Sequence, residues 1–386
     1  MTTSIETTNV LDLPEVLRTS IEASAAQSDQ LGDLPASLHD ELREAGAFRL
    51  LTPRALGGSE VPLPTVLSVY EGFGRIDGSV GLQVWNANFG WVGALLDDAG
   101  TDRIWKTGTE PVFANSGMPC TAEHVDGGYR VTGKWKIVTG IRRADWFIAV
   151  GTVVADGQPQ VTASGAPEIR VFAIATDEVA IQDTWDVTGM RATGSRDVVG
   201  HAVFVPSELT VPLDAPPRID HPLYRGFLPA LVFAGCSAVT LGVTARAIDE
   251  TVTLVRAKPA IGGGVVADAA RVQYLIAKAQ TSIDAARLLL QSAASAFQVA
   301  GERGVMATME QRAALRAAMT YVAQVSRDAL SGMYEVAGSS ALYRSNPIER
   351  VFRDGMAAVQ HANQSAMYLE AAGRVRLGMD PAVPLF

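Results

Sequence analysis

A polar stripe on a predicted helix near the end of the sequence holds the residues best suited to acid–base chemistry. The helix starts at Asn346-Pro347-Ile348-Glu349, where a capping side chain, a first-turn proline and a glutamate at the third position are typical of a helix start. On one face of it follow Arg350, Asp354, Ala357, His361 and Tyr368. The pattern by itself favours a solvated face with an Arg350–Asp354 ion pair, because most such stripes are solvated. An imidazole that titrates near neutral pH still makes His361 a candidate for proton transfer.

Three further segments place small hydrogen-bonding side chains beside glycine. They are Asn115-Ser116-Gly117, Thr139-Gly140 at the end of a predicted strand, and the run TGMRATGS over residues 188–195, which contains Arg191. Glycine lets the backbone approach a ligand closely, and hydroxyl or amide groups supply hydrogen bonds to it. Considered singly, each segment is explained more simply as an ordinary turn, so the residue pattern alone assigns no ligand.

The elements that position these residues change type twice along the chain. The first part reads as helical, and strand signals then begin around the turn Asp126-Gly127-Gly128. The period-two run after that turn points one face inward through Tyr129, Val131, Trp135 and Ile137. The last part returns to helical periodicity. This order predicts an α+β fold with an N-terminal helical domain over 1–112, a central β domain over 113–222 and a C-terminal helical domain over 223–386.

Composition and charge exclude several classes of function. The chain has 386 residues, a net charge of −9 and a pI near 5.2, so its surface repels nucleic acid and anionic membranes. The first residues, MTTSIETTNVLDLPE, lack the apolar core of a secretory signal. Cys120 and Cys236 suit a reducing cytoplasm, and no Cys or His pair has metal-ligand spacing, so no metal site is expected. The uncharged stretch Phe227–Ala245 is long enough for a membrane, but its small and polar residues favour a buried bundle helix.

Four separated segments together resemble the acyl-CoA dehydrogenase superfamily. They are Asn115-Ser116-Gly117, GGYRVTGKWKIVTGIRRADW over 127–146, TWDVTGMRATGS over 184–195 and VAGSSALYRSNPIERVFRD over 336–354. The similarity spans nearly the whole chain. It implies that the C-terminal domain is a four-helix bundle, that the chain forms a homotetramer, and that a flavin is held between the β domain and the bundle.

Two departures from the dehydrogenase pattern change the chemistry that the resemblance implies. Most dehydrogenases of the superfamily carry a glutamate base after the Arg-Asp motif, and alignment on Arg353-Asp354 puts Ala362 there. A minority carry the base on the first bundle helix, where Pro229 stands. Neither residue can remove a proton, so the direct route to thioester dehydrogenation is closed. His361 instead resembles the branch of two-component flavin-dependent monooxygenases.

Members of that branch take reduced FMN or FAD from a separate NAD(P)H-dependent flavin reductase. They use molecular oxygen to hydroxylate an aromatic ring or to oxidise nitrogen or sulfur. The resemblance implies that His361 and Thr139 are catalytic, with Thr139 at the reactive edge of the flavin. The implied cofactor-binding residues are Asn115, Ser116, Thr139, Gly140, Trp185, Arg191, Thr193 and Ser195. The implied substrate pocket contains Trp85, Phe89, Ala357 and His361, with Phe89 where many members carry a second histidine.

Two other functions remain compatible with the sequence. A dehydrogenase-like enzyme or oxidase with an unusual base would reduce its own flavin with substrate, whereas the monooxygenase needs supplied reduced flavin and oxygen. A flavin-binding protein without turnover would bind flavin and yield no oxygen-dependent product. The monooxygenase is the favoured function, acting in the cytoplasm on a small organic substrate of aromatic or natural-product-like type.

Overall fold

The chain folds into helices, then a sheet, then helices, in the order predicted from its sequence. A computed structural model describes residues 9–162, 165–226, 228–383 and 386. Residues 1–8 lie outside the described residues. They begin the segment that was predicted not to be a secretory signal. Phe227, at the start of the apolar stretch, also lies outside the described residues.

The N-terminal helices include α4, the element that contacts most of the predicted site. Their bounds are α1 Leu13–Leu31, α2 Ala36–Glu44, α3 Leu63–Ile76, α4 Gly78–Ala87 and α5 Asp98–Trp105. Asp77 caps α4, because its side chain accepts hydrogen bonds from the amides of Ser79 at 2.9 Å and Val80 at 3.1 Å. Nearly every residue of α4 is buried, so its polar side chains must find partners inside the protein.

A mixed sheet forms the centre of the molecule. Its strands are β1 Phe113–Val125, β2 Gly128–Val138, β3 Trp146–Ala155, β4 Gln158–Pro159, β5 Ile169–Ala175, β6 Ala180–Gln182, β7 Arg196–Pro206 and β8 Thr210–Pro212. Across the sheet the order is β6-β7-β2-β1-β3-β5-β8, with β4 paired to β3. Strands β1 and β3 run parallel, and their register shifts between Ser116 and Pro119. This bulge lies directly beside two of the predicted ligand residues.

The hairpin of β1 and β2 turns at Asp126-Gly127, as predicted. Its inward face includes Tyr129, Val131 and Trp135, which are all buried. Ile137, predicted to face inward with them, is 63% exposed. It has a φ of 57° within a register shift between Trp135 and Val138. A bulge reverses the side on which the following residues point, so the period-two prediction was wrong from this point on.

Long helices build the C-terminal region. The described helices are α6 Pro222–Arg225, α7 Pro229–Phe233, α8 Gly235–Ala257, α9 Ala270–Glu302, α10 Met309–Ala337, α11 Pro347–Ala358 and α12 Met367–Arg376. Helix α10 packs against α8, α9 and α12, and α11 packs against α8 and α10. The main hydrophobic core runs without interruption through the helical regions and the sheet, and it includes residues from both faces of β3 and β5.

The apolar stretch forms α7 and α8. From Pro229 to Ala257 the chain is apolar enough to cross a membrane, but its most hydropathic window is 83% buried inside the protein. The hydroxyls of Thr240 and Thr244 donate to carbonyls one turn earlier, at 2.8 and 2.7 Å. A helix whose apolar and polar groups are both satisfied within the protein is a core helix, as the sequence predicted.

The predicted helix start at Asn346 is confirmed, and the polar residues after it are buried or half-buried in contacts between segments rather than solvated. The Asn346 side chain accepts a hydrogen bond from a first-turn amide at 3.0 Å. Arg350 pairs with Asp77 at 2.5 Å, and Asp354 accepts a hydrogen bond from the Met190 amide at 2.6 Å. The Arg350–Asp354 pair, 3.5 Å apart, therefore belongs to a network that joins three segments, and the solvated-face interpretation was wrong.

Helix α11 ends at Ala358, so the prediction that His361 and Tyr368 share its face was also wrong. The Ala358 carbonyl accepts a hydrogen bond from the Gln364 side chain at 3.1 Å, which replaces a bond of a further helical turn. His361 instead caps a short 3-10 helix. Tyr368 lies on α12, where its ring covers the Arg316 guanidinium at 4.1 Å.

Candidate active site

An apolar cavity lies between the central sheet, the segment after α4 and the short helix α7. Aromatic and aliphatic side chains form most of its wall, including Phe89, Trp91, Ile148, Leu213, Pro229 and Phe233. Asn115 and Ser116, on β1, add a polar edge. The predicted pocket residue Phe89 thus meets two residues that were predicted to bind the cofactor.

Trp85 and His361 form a second group, which does not belong to the described wall of that cavity. Their rings meet edge to face, with centroids 5.1 Å apart and planes inclined at 69°. Burial lowers the pKa of His361 to about 4, so its imidazole is neutral at neutral pH. The Nδ1 atom accepts a hydrogen bond from the Asn363 amide at 3.2 Å, which places the ring hydrogen on Nε2. Ala357, the remaining predicted pocket residue, is half-buried at the end of α11.

Three hydroxyl groups form a directed chain between the end of β2 and the start of β7. Thr193 Oγ1 donates to the Met190 carbonyl at 2.8 Å, and a carbonyl can only accept. The Thr193 hydrogen is thereby used, so Ser195 donates to Thr193 at 2.7 Å and Thr139 donates to Ser195 at 2.8 Å. The Thr139 oxygen keeps its acceptor lone pairs. Gly140, with a φ of 70°, donates its amide to the Thr193 carbonyl at 3.0 Å.

Trp185 and Arg191 hold the loop that carries Thr193. The Trp185 indole donates to the Arg191 carbonyl at 2.9 Å. The Arg191 guanidinium donates to the carbonyls of Val187 at 2.7 Å and Asp29 at 3.0 Å. Arg191 also lines an open cleft against α1. The two predicted cofactor residues therefore order the loop around the hydroxyl chain in addition to any contact with a ligand.

Helix α4 connects the three groups. Gln83 donates to the Ala192 carbonyl at 2.9 Å, beside the hydroxyl chain. Trp85, two residues later, makes the ring contact described above. Asn86 accepts two hydrogen bonds from the Asn115 side chain, at 3.1 Å each, beside the apolar cavity. Sequence analysis missed Gln83 and Asn86, although two amides in the largely apolar run GSVGLQVWNA were an available signal of internal partners.

Asp354 joins α11 to the site. Burial raises the pKa of Asp354 to about 6, the Asp77 carboxylate adds to that rise, and the Arg350 guanidinium opposes it. The carboxyl group accepts from the Met190 amide, and the Met190 carbonyl is the acceptor that ends the hydroxyl chain. Met190 has a φ of 54°, which is uncommon for a residue other than glycine. The Asp354 contact stabilises this conformation of the loop.

Metal and thiol chemistry find no support in the described part of the chain. Within its ranges, no group of three or more His, Cys, Asp or Glu side chains is arranged to hold a metal ion. Cys120 and Cys236 are both free and buried. Burial raises the pKa of each thiol to about 12, so neither is a ready nucleophile at neutral pH.

Known proteins resemble the chain over almost its whole length. Family models match residues 13–108 as an acyl-CoA dehydrogenase N-terminal domain and residues 234–366 as an acyl-CoA dehydrogenase C-terminal domain. Indole-3-acetate monooxygenase of Acinetobacter baumannii is 29% identical over 367 residues, which cover 93% of this chain and 92% of that protein. The flavin-dependent monooxygenase oxygenase subunit HsaA of Rhodococcus jostii is 30% identical over 368 residues, covering 90% and 92%. The crystal structure of a 3-HSA hydroxylase from a Rhodococcus species matches with a TM-score of 0.90 at 25% identity, over 98% of this chain and 100% of that one.

Fold, site and similarity lead to the same class. The chain belongs to the acyl-CoA dehydrogenase superfamily, within its branch of flavin-dependent monooxygenases. It is an oxidoreductase, and the predicted superfamily, fold and enzyme class are confirmed. The relatives favour this function over the dehydrogenase and non-catalytic alternatives, in keeping with the replacement of both possible base positions by Ala362 and Pro229.

Proposed function

We propose that this chain is the oxygenase component of a two-component system and oxidises a small aromatic compound in the apolar cavity. The observation that carries the proposal is the cavity wall, where Phe89, Trp91 and Phe233 offer aromatic surfaces to a planar ligand. One relative is named for indole-3-acetate, an aromatic compound, which supports this substrate class. Phe89, Trp91 and Ile148 are buried, and an apolar wall of this kind limits the access of water to the reacting atoms.

The hydroxyl chain fits a reduced flavin. Because Thr139 gives its hydrogen to Ser195, it meets a ligand as an acceptor. A reduced flavin ring carries an N–H where the oxidised ring has a bare nitrogen, so an acceptor at this place favours the reduced form. The residues proposed to hold the ring and its chain are Thr139, Gly140, Trp185, Arg191, Thr193 and Ser195, with Asn115 and Ser116 between flavin and substrate. When bound, reduced FMN or FAD supplies the electrons that activate molecular oxygen.

His361 serves as a hydrogen-bond donor rather than as a cation or a resting base. Its pKa of about 4 keeps the ring neutral, and the Asn363 amide fixes the tautomer with hydrogen on Nε2. The edge-to-face contact with Trp85 holds the imidazole plane. We propose that the Nε2–H orients an oxygen atom of dioxygen or of the substrate, and that the ring passes on a proton only after receiving one.

The proposed partners follow from the two-component chemistry. One relative is named an oxygenase subunit, which supports an NAD(P)H-dependent flavin reductase as a transient supplier of reduced flavin. We propose a cytoplasmic homotetramer divided into domains 1–112, 113–222 and 223–386. Large apolar side chains are exposed in the C-terminal region and suit contacts between copies, among them Leu288, Leu289, Tyr321, Leu342 and Tyr343.

The direct test supplies chemically reduced flavin to the protein under anaerobic conditions and then mixes it with aerated buffer and an aromatic substrate. Expected results are an oxygenated product and less hydrogen peroxide than in free reduced flavin. A second arm gives oxidised flavin and substrate without oxygen. Bleaching of the flavin in that arm would support the dehydrogenase alternative, and flavin binding with peroxide as the sole product would support the non-catalytic one.

A further inference from the structure

The orientation of one amide in the cavity wall is set by a short chain of hydrogen bonds. Asn86 Nδ2 donates to the Leu82 carbonyl at 3.0 Å. A carbonyl can only accept, so the nitrogen of the Asn86 amide must face it and the Asn86 Oδ1 atom must face the other way. Asn115 Nδ2 then donates to Asn86 Oδ1 and to the Asn86 carbonyl, both at 3.1 Å.

Reversing the Asn115 amide would bring its oxygen against two other oxygens, so the observed orientation is the stable one. The Asn115 Oδ1 atom is therefore turned away from α4. Asn115 lines the apolar cavity, and among the described residues no donor reaches its Oδ1 atom. The amide thus presents a hydrogen-bond acceptor to a cavity whose other walls are mainly apolar.

A bulge in β1 lies next to this acceptor. The register with β3 shifts after Ser116, so the residues that follow leave the regular ladder beside the cavity. The Ser116 hydroxyl oxygen accepts from the Met118 amide at 3.2 Å, which occupies one of its lone pairs. Of the two polar side chains on this edge, the Ser116 hydroxyl can still donate, whereas the Asn115 Oδ1 atom can only accept.

We propose that the cavity selects aromatic ligands that donate a ring N–H or a phenolic O–H to Asn115 Oδ1. This assigns Asn115 to substrate selection rather than to the flavin alone, and it makes Asn86 the residue that positions it. An aromatic ligand without a donor leaves the acceptor buried and unpaired, which costs more than the loss of an ordinary exposed hydrogen bond. The inference deepens the proposed function, since it names the substrate class of the same cavity.

The test compares indole with indene, which have nearly the same size and shape but differ in the N–H group. Binding to the flavin-free protein is measured by isothermal titration calorimetry. We expect the wild-type protein to bind indole several-fold more tightly than indene. Asn115→Leu should weaken indole binding about 5- to 10-fold, the usual effect of one buried hydrogen bond, and leave indene within about twofold. Asn86→Leu should give an intermediate loss for indole, because the acceptor remains but its orientation is released.

Equal affinities of the wild-type protein for the two ligands would overturn the inference without any variant. An equal loss for both ligands in Asn115→Leu would overturn it as well, since that result indicates a damaged cavity. Circular dichroism melting of both variants shows whether they fold, and the wild-type comparison stands if they do not. The calorimetry needs no flavin and no turnover, so an indole preference there, together with no oxygenated product in the reduced-flavin assay, would refute the proposed function alone.

Discussion

Replacement of His361 tests the site most directly, because the side chain has a defined protonation state and tautomer. With a pKa of about 4, about one imidazole in a thousand is charged at pH 7 and about one in ten at pH 5. His361 should therefore add no break to the pH profile of product formation near the ordinary histidine pKa of about 6.5. Its own contribution should change only as the pH approaches the lowered value, whereas Asp354, with a pKa of about 6, titrates at higher pH.

The expected effect of His361→Ala is a loss of product of about 10²-fold or more, the usual range for a positioned proton-transfer or donor group. His361→Gln keeps an N–H donor near the place of Nε2 and should recover about tenfold of that loss. The assay supplies reduced flavin and records oxygenated product against hydrogen peroxide. In His361→Ala the electrons should appear as peroxide.

Two results would refute this reasoning. Unchanged product and peroxide in His361→Ala would make the histidine a structural residue that merely caps the 3-10 helix after α11. A wild-type profile that breaks near pH 6.5 and follows His361 would mean that the ring is solvated and charged at mildly acidic pH. Thermal melting of each variant separates a chemical effect from unfolding.

Three further predictions concern particular side-chain contacts, and a fourth concerns the assembly. Thr193→Val removes the hydroxyl that fixes the direction of the hydroxyl chain. In anaerobic fluorescence titrations, the dissociation constant of reduced flavin should rise about 5- to 10-fold and that of oxidised flavin should rise less. Equal changes for the two forms would contradict the directed chain. Gly235→Ala should lower stability by about 1–3 kcal/mol in denaturant melts, because the new Cβ would lie 2.1 Å from Trp85 Cδ1. His39 is buried and its pKa is lowered to about 4, so its contribution to stability is present above the unfolded pKa near 6.5 and is lost as the pH falls toward 4. In His39→Leu the melting temperature should therefore fall less between pH 6.5 and pH 4 than in the wild-type protein. An unchanged pH dependence of the melting temperature would count against this reasoning. Light scattering at micromolar concentration should give a tetramer, and a stable monomer would count against the homotetramer.

Local sequence rules predicted the elements because the capping and turn residues act within a few positions of themselves. Asn346 predicted the start of α11 since its side chain bonds an amide in the next turn. Asp126-Gly127 predicted the hairpin for the same reason. Ile137 could not be placed correctly, because the bulge that exposes it depends on pairing with β7, far along the chain.

The site was predicted in part for similar reasons. The resemblance predicted that Thr139, Thr193 and Ser195 bind the same cofactor, and in the structure hydrogen bonds connect the three side chains. It did not predict that His361 leaves α11, because the contacts of the Ala358 carbonyl at the end of that helix, including a side-chain bond from Gln364, are formed only in the folded chain. The role of Asn86 could not be predicted, because the sequence does not show that its side chain contacts Asn115 on β1.

The cap of α4 has a consequence for the motions of the whole site. The Asp77 carboxylate bonds the first amides of α4 through one oxygen and Arg350 on α11 through the other. Helix α11 in turn holds the Met190 amide through Asp354. Loss of the Asp77 contacts would release both the first amides of α4 and Arg350, so the start of α4 and helix α11 should become mobile together. Through Asp354, a disturbance at the cap of this short helix would also reach the loop around Met190.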